Sequence, residues 1–315
     1  MSNSFEVENK RLNSNIGLVA CHQNIFNSGP VGLAIIKNKL WVANNGTGVG
    51  GTGATGLTGG PYLSEYKEDG KLITNVTTFN TPFGLVANEK CNQFQGYKLL
   101  VTTNTGTTGA HIEGYNPCVD PGHTVNLISA TGAYAGIAVA CGSLYATNTF
   151  TQNIDVYTST FTYSFSFTDS NLTIFGYTPT NVAIYKKKVY VTFAKVDANS
   201  FPQSALGNGF IDVFSLQGTC LKRIVSLDPL DGVYGLEFSS CGKYIYAANH
   251  GNGLINVFDR KKGCFIGRFK NCDGEDLTIS GLNSIAIGCD DRMYYTASTS
   301  FPNEGVVGVL KNTCC

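Results

Sequence analysis

A Gly- or Asn-centred apolar run recurs six times along this chain, each copy followed by a second strand-like run that ends in a small residue. The copies fall at Gly32 (VGLAII), Gly84 (FGLVAN), Gly136 (AGIAVA), Asn181 (TNVAIY), Gly235 (YGLEFS) and Ser284 (LNSIAIG), about 45–54 residues apart. That period is typical of blade-forming repeats, whose units bury their apolar faces only by stacking on one another. The second runs end at Asn45, Asn104, Asn148, Ala194, Asn249 and Ser298. Third runs follow at 62–66, 111–115, 154–157, 210–214, 254–258 and 306–310, and fourth runs start at Lys71, Thr124, Thr162, Cys220 and Cys264. The expected fold is all-β: a six-bladed β-propeller with four-stranded antiparallel blades.

The sixth unit has no fourth run, since only five residues follow Leu310. A spare strand pattern, NIGLVACH at Asn15–His22, stands at the other end of the chain. Placing it outside the sixth blade closes the ring, and closure removes the unpaired edge an open ring would present. The expected organisation is a tail over 1–14, one propeller over 15–312 and a tail over 313–315.

A chain of 315 residues with 43% hydrophobic content can form a core without metal or disulfide. Low charge, 14%, and 37 Gly suit short strands and tight turns rather than long helices. The formal net charge is zero, which gives no whole-chain signature of a nucleic-acid or anionic-membrane binder. The N-terminal segment has no apolar run of signal-peptide type, and no stretch is long and apolar enough to span a bilayer. The chain therefore reads as made in the cytosol. The eleven cysteines form no CxxC pair and no zinc-type array. Most read as buried thiols or turn residues, and the terminal pair Cys314 and Cys315 as a candidate crosslink for self-association.

The segment Gly46–Gly60 contains a literal GxGxxG, but no helical pattern follows to meet a pyrophosphate, so it reads as a loop over one face. The residues closing the second runs carry more information. In a propeller these ends converge with the connections into the first strands, around one mouth of the central channel. Asn45, Asn104, Asn148, Lys195, Asn249 and His250 are the candidate ligand-binding residues there, because an amide offers donor and acceptors together. The competing reading is structural: Asn caps its own turn and tolerates left-handed backbone. No HxH, HExxH or GxSxG pattern occurs, and no catalytic residue is assigned. A divalent cation such as calcium is the alternative cofactor, with Asn181, Asp231, Glu237 and Asn283 as its candidate ligands. Strand alternation counted from Leu236 would aim Glu237 away from the channel.

WVANNGTG (41–48), TPTNVAIYKKKVYVTFAKVDA (178–198), GNGFIDVFSLQG (207–218), VYGLEFS (233–239), NHGNGLINVFD (249–259) and GRFKNCDGEDLTISGLNSIAIG (267–288) together carry a resemblance. The chain resembles an uncharacterised family of β-propeller proteins known mainly from bacteria, often exported, with relatives in large DNA viruses and an NHL- or lactonase-like architecture. It departs from the family's Pro-Trp-Gly-Leu blade starts, reading PVGL, VYGL and GLNS instead. The resemblance implies the propeller and supplies no reaction or catalytic residue. Lys outnumbers Arg by 17 to 5, which with the viral branch of the family points to a viral source and a particle component. The leading functional expectation is a non-enzymatic binding or structural propeller that presents its loop face to a protein or glycan partner, without nucleic acid or membrane insertion. A metal-dependent, lactonase-like hydrolase is the alternative.

Overall fold

The computed structural model describes residues 16–23, 30–45, 61–67, 70–88, 93–106, 108–271, 273–288, 291–300 and 304–312. Strand β1 (Ile16–Gln23) precedes β2 (Pro30–Ile36), β3 (Lys39–Asn44), β4 (Tyr62–Tyr66) and β5 (Leu72–Thr77), the first blade. The second blade is β6 (Thr81–Ala87), β7 (Leu99–Thr105), β8 (Gly109–Tyr115) and β9 (Val125–Thr131). The third is β10 (Tyr134–Ala140), β11 (Ser143–Asn148), β12 (Asn153–Thr158) and β13 (Tyr163–Phe167). The fourth is β14 (Thr178–Tyr185), β15 (Lys188–Ala194), β16 (Phe210–Ser215) and β17 (Cys220–Ser226). The fifth is β18 (Val233–Phe238), β19 (Tyr244–Asn249), β20 (Ile255–Asp259) and β21 (Phe265–Arg268). The sixth combines β22 (Leu282–Ile287), β23 (Met293–Ser300) and β24 (Glu304–Asn312) with β1, in the order β22, β23, β24, β1.

Ring closure is therefore made as the strand count requires: β1 pairs antiparallel with β24, from Ile16 opposite Asn312 to Gln23 opposite Val306. Each first strand packs on the first strand of the next blade, and β22 packs on β2, so the six surround one axis. Connections into the first strands, and those joining second to third strands, lie on one side of the disc, the loop face. The remaining turns form the hairpin face. Among the described residues, helix is limited to a 3-10 turn at Phe94–Gly96 and one short helix, α1 (Ser170–Thr173), and no helix is long and apolar enough to cross a membrane.

Because side chains alternate across a strand, each blade offers one apolar face to each neighbour. Tyr145 and Val156 meet Val182, Val191 and Phe193 in one core cluster, and Tyr190 and Val213 meet Leu236 and Ile245 in the next. Each such side chain contributes about 1.5–3 kcal/mol on burial. Burial falls off outward: β15 is buried after its first residue, whereas β17 is mostly exposed. Outer β17 is held by Arg223, whose Nε lies 2.8 Å from Asp212 Oδ1 and whose Nη2 lies 2.6 Å from Asp169 Oδ2. Burial pushes the Asp212 carboxyl up to about 6 against the pull of Arg223.

Cys118, Cys141 and Cys241 sit in turns, one of the two settings expected, while Cys220 and Cys264 stand at outer-strand starts; all five are free and exposed rather than buried. Cys314, Cys315 and the Gly46–Gly60 loop lie outside the described residues.

Candidate functional site

Every first strand carries a bulge near its loop-face end, where the pairing register shifts beside Gly32, Gly84, Gly136, Asn181, Gly235 and Ser284. A bulge takes a residue out of the ladder and leaves its N–H to find another acceptor. In three blades a second-strand threonine supplies it: the N–H groups of Gly84, Gly136 and Ser284 donate to the hydroxyls of Thr102 (2.7 Å), Thr147 (2.7 Å) and Thr296 (3.1 Å). Thr102 and Thr296 then donate onward to the next blade, to the carbonyls of Ala135 and Val31, each at 2.8 Å. The strands approach so closely here that a Cβ on Gly32 would stand 2.1 Å from the Phe83 carbonyl oxygen, and one on Gly84 2.3 Å from that of Ala135.

The amides at the ends of the second strands are turned inward. Asn104 donates to the Tyr134 carbonyl at 2.8 Å and accepts from the Tyr134 N–H at 2.7 Å, clasping the next blade. Asn148 accepts from the N–H groups of Ala133 and Thr151 and donates to Thr131 O and Asp155 Oδ2. Asn249 donates to the Pro229 carbonyl at 3.1 Å. Asn104, Asn148 and Asn249 are at most 5% exposed and give their side chains to these bonds rather than to the mouth, and Asn45 is 2% exposed. Lys195 is exposed, its Nζ 5.2 Å from the centre of the Tyr177 ring, while its backbone is clasped by Asn208, an amide the sequence hides in a GNG turn. His250 donates from Nδ1 to the Leu282 carbonyl at 3.0 Å and stacks on Phe201 at 5.6 Å.

Of the candidate cation ligands, Asn181 and Glu237 line the channel; Asp231 and Asn283 do not. Asp231 accepts from the Ala205 N–H at 2.8 Å, and Asn283 donates to the Pro30 carbonyl at 2.9 Å, joining the sixth blade to the first. No cluster of three His, Cys, Asp or Glu able to hold a metal occurs among the described residues.

The channel encloses about 380 Å³. Phe201, from the β15–β16 connection, caps its loop-face end, with its ring 5.8 Å from Phe83 and 6.1 Å from Tyr234; Val31 and Ala135 complete the plug. Below the plug lies the small-residue ring of Gly32, Gly84, Gly136, Asn181 and Ser284. Two residues further along the strands, the wall is Ala34, Val86, Ala138, Ala183, Glu237 and Ala286. Leu236 and Glu237 both line the channel, so the alternation counted from Leu236 does not exclude the acid: Leu236 packs in the core against the fourth blade, and the Glu237 carboxyl, on the other side of β18, accepts from the N–H groups of its neighbour Phe238 and of Ile287 on β22. Burial pushes its carboxyl up to about 7, opposed by hydrogen bonds from the N–H groups of Phe238, at 2.7 Å, and Ile287. Superposing the six first runs of the sequence brings this one acid, weighed from the sequence only as a cation ligand, into a column of Ala and Val.

The two faces differ. Loop-face connections expose Phe79, Phe150, Ile174, Phe175, Leu206 and Leu227, with Ile174 at 73% and Leu206 at 68%. They also expose Asp197, Asp228, Asp273 and Glu275. The hairpin face exposes Lys37, Lys186, Lys187, Lys243, Lys261 and Lys262. Among the described residues the loop face thus carries more exposed acids than bases, Lys195 being its exposed lysine, and the hairpin face more exposed lysines than acids, Asp291 being an exposed acid there.

No protein-family model matches the chain. It is 28% identical to uncharacterized protein L690 of Acanthamoeba polyphaga mimivirus over 95% of this chain and 83% of that protein. Uncharacterized proteins R640 and R648 of the same virus are 28% and 29% identical, over 56% and 76% of their own lengths. Among solved structures, a Bacteroides thetaiotaomicron protein of unknown function superposes with a TM-score of 0.60 at 11% identity, covering 94% of this chain and 72% of that one. A chain of a nidogen/laminin complex gives 0.55 at 14% identity, covering 80% and 84%. The chain is a six-bladed β-propeller with relatives among uncharacterized mimivirus proteins.

Proposed function

We propose that this protein is a non-enzymatic binding propeller that docks a protein partner on its loop face, as a component of a viral particle. The observation that carries the docking reading is the set of large apolar side chains exposed on that face, led by Phe79, Phe150, Ile174 and Phe175. Isolated exposed apolar residues are ordinary, but a shared face of them on a rigid scaffold is the usual composition of a docking surface. The acids between them favour a partner with an apolar patch rimmed by Lys or Arg, and the aliphatic content favours protein over glycan. The similar chain in a nidogen/laminin complex belongs to a protein–protein assembly, and the mimivirus relatives support the viral setting.

The test is co-purification from producing cells with wild-type protein, a Phe79→Ser/Phe150→Ser/Phe175→Ser variant and a Lys186→Glu/Lys187→Glu variant, all checked for native melting. The expected result is a stoichiometric partner kept by the hairpin-face variant and lost by the loop-face variant. Equal capture by all three would refute the assignment. Mass spectrometry of purified particles tests the location separately.

A further inference from the structure

The channel departs from sixfold repetition at the layer containing Glu237. Five first strands place Ala or Val there and the fifth blade places a carboxyl. None of the salt bridges among the described residues involves Glu237, and its two hydrogen bonds come from backbone N–H groups. An acid enclosed without a cation is costly to ionise. An alanine, already present at four of the six positions, would line the wall without that cost.

The surroundings define what could neutralise it. Asn181 on the adjacent strand β14 and Ser284 on β22 add polar groups to the wall, and the Phe83 and Tyr234 rings close the loop-face end. A carboxylate with amide and hydroxyl groups in the same otherwise apolar channel is the chemistry of an ammonium site. Access lies on the hairpin face, where the turns between first and second strands carry Lys37, Lys186 and Lys187, all exposed. Those turns begin three residues beyond the Glu237 layer, roughly 10 Å along an extended strand. The corresponding turns of the fifth and sixth blades add exposed Lys243 and exposed Asp291, so among the described residues the rim carries more positive than negative charge and favours a ligand with an anionic tail over a simple cation.

We propose that the channel binds a small zwitterion, its primary ammonium held by Glu237 with Asn181 and its acidic end held by the Lys37, Lys186 and Lys187 rim. The cavity, about 380 Å³, is at the lower end of the range of small-molecule sites. The site is separate from the loop face and stands or falls independently of partner docking.

Calorimetry on the full chain with 6-aminohexanoate, n-hexylammonium and hexanoate tests this. 6-Aminohexanoate is expected to bind at least tenfold tighter than either single-ended probe. Glu237→Gln and Lys186→Ala/Lys187→Ala should each weaken it at least tenfold while melting cooperatively. Among the described residues of the channel wall, the Glu237 carboxyl, pushed up to about 7 by burial, faces no other acid or base except the Tyr234 phenol. Tyr246 is its partner across the ladder, and Cys241, Lys243, Asp291 and Arg292 occupy the turns below. Affinity should thus rise about tenfold from pH 6 to 8 as Glu237 ionises, and stay flat in Glu237→Gln. Unchanged binding in Glu237→Gln, or equal affinity for all three probes, would overturn the proposal. So would a stoichiometric divalent ion that displaces 6-aminohexanoate.

Discussion

At the loop-facing rim of the hub, Asn104 and Thr102 give their polar atoms to the backbone of the next blade. Deeper in the channel, Glu237 stands in a layer otherwise made of Ala and Val and is in none of the salt bridges among the described residues. The threonine joint recurs in three blades, at Thr102, Thr147 and Thr296. Glu237 occurs once. Repetition in this molecule marks what holds the disc together, and a break in repetition marks where a ligand is worth seeking.

Substitutions can break that contrast, and the largest effect belongs to the repeated backbone approach. Gly32→Val drives a side chain into the Phe83 carbonyl, a backbone neighbour unable to swing aside; the expected loss exceeds about 4 kcal/mol, read as insoluble or non-cooperatively melting protein. Asn104→Ala strands the buried N–H and carbonyl of Tyr134 and should cost about 4 kcal/mol in denaturant titration.

Glu237→Gln should act with the opposite sign. The unfolded chain ionises this acid near 4.5, while the folded protein keeps its proton until about 7. Wild-type stability therefore falls as pH rises through that window. The variant should gain up to about 3 kcal/mol over wild type at pH 8 and nothing below pH 4. A loss of stability at pH 8 would place Glu237 among the structural groups. The smallest effect sharpens the rim: Thr102→Val should cost about 1–2 kcal/mol, since one hydroxyl serves both Gly84 and Ala135.

The architecture was legible because a blade's strands are consecutive in the chain and its apolar runs repeat. The missing fourth strand of the last unit even named its replacement, β1. The site was less legible. Asn at a strand end reads alike whether it caps a backbone or faces a ligand, and only the bonds of Asn104 and Asn148 decide between them. Phe201 plugs the channel from a long connection whose sequence, KVDANSFPQ, carries no periodic signal. Glu237 was visible but misdirected, because counting outward from Leu236 takes no account of which side of β18 faces the next blade.

Closure through β1 also puts a clock on synthesis. Gln23 is made early, yet its partner Val306 comes 283 residues later, which at roughly 5–20 residues per second is a wait of about 15–60 s. Throughout that interval the first blade has no sixth to lean on, and β1 has no strand to join. A ribosome that stalls late on this message releases a disc almost finished in mass but open along one radius, with the edge that closure is there to hide.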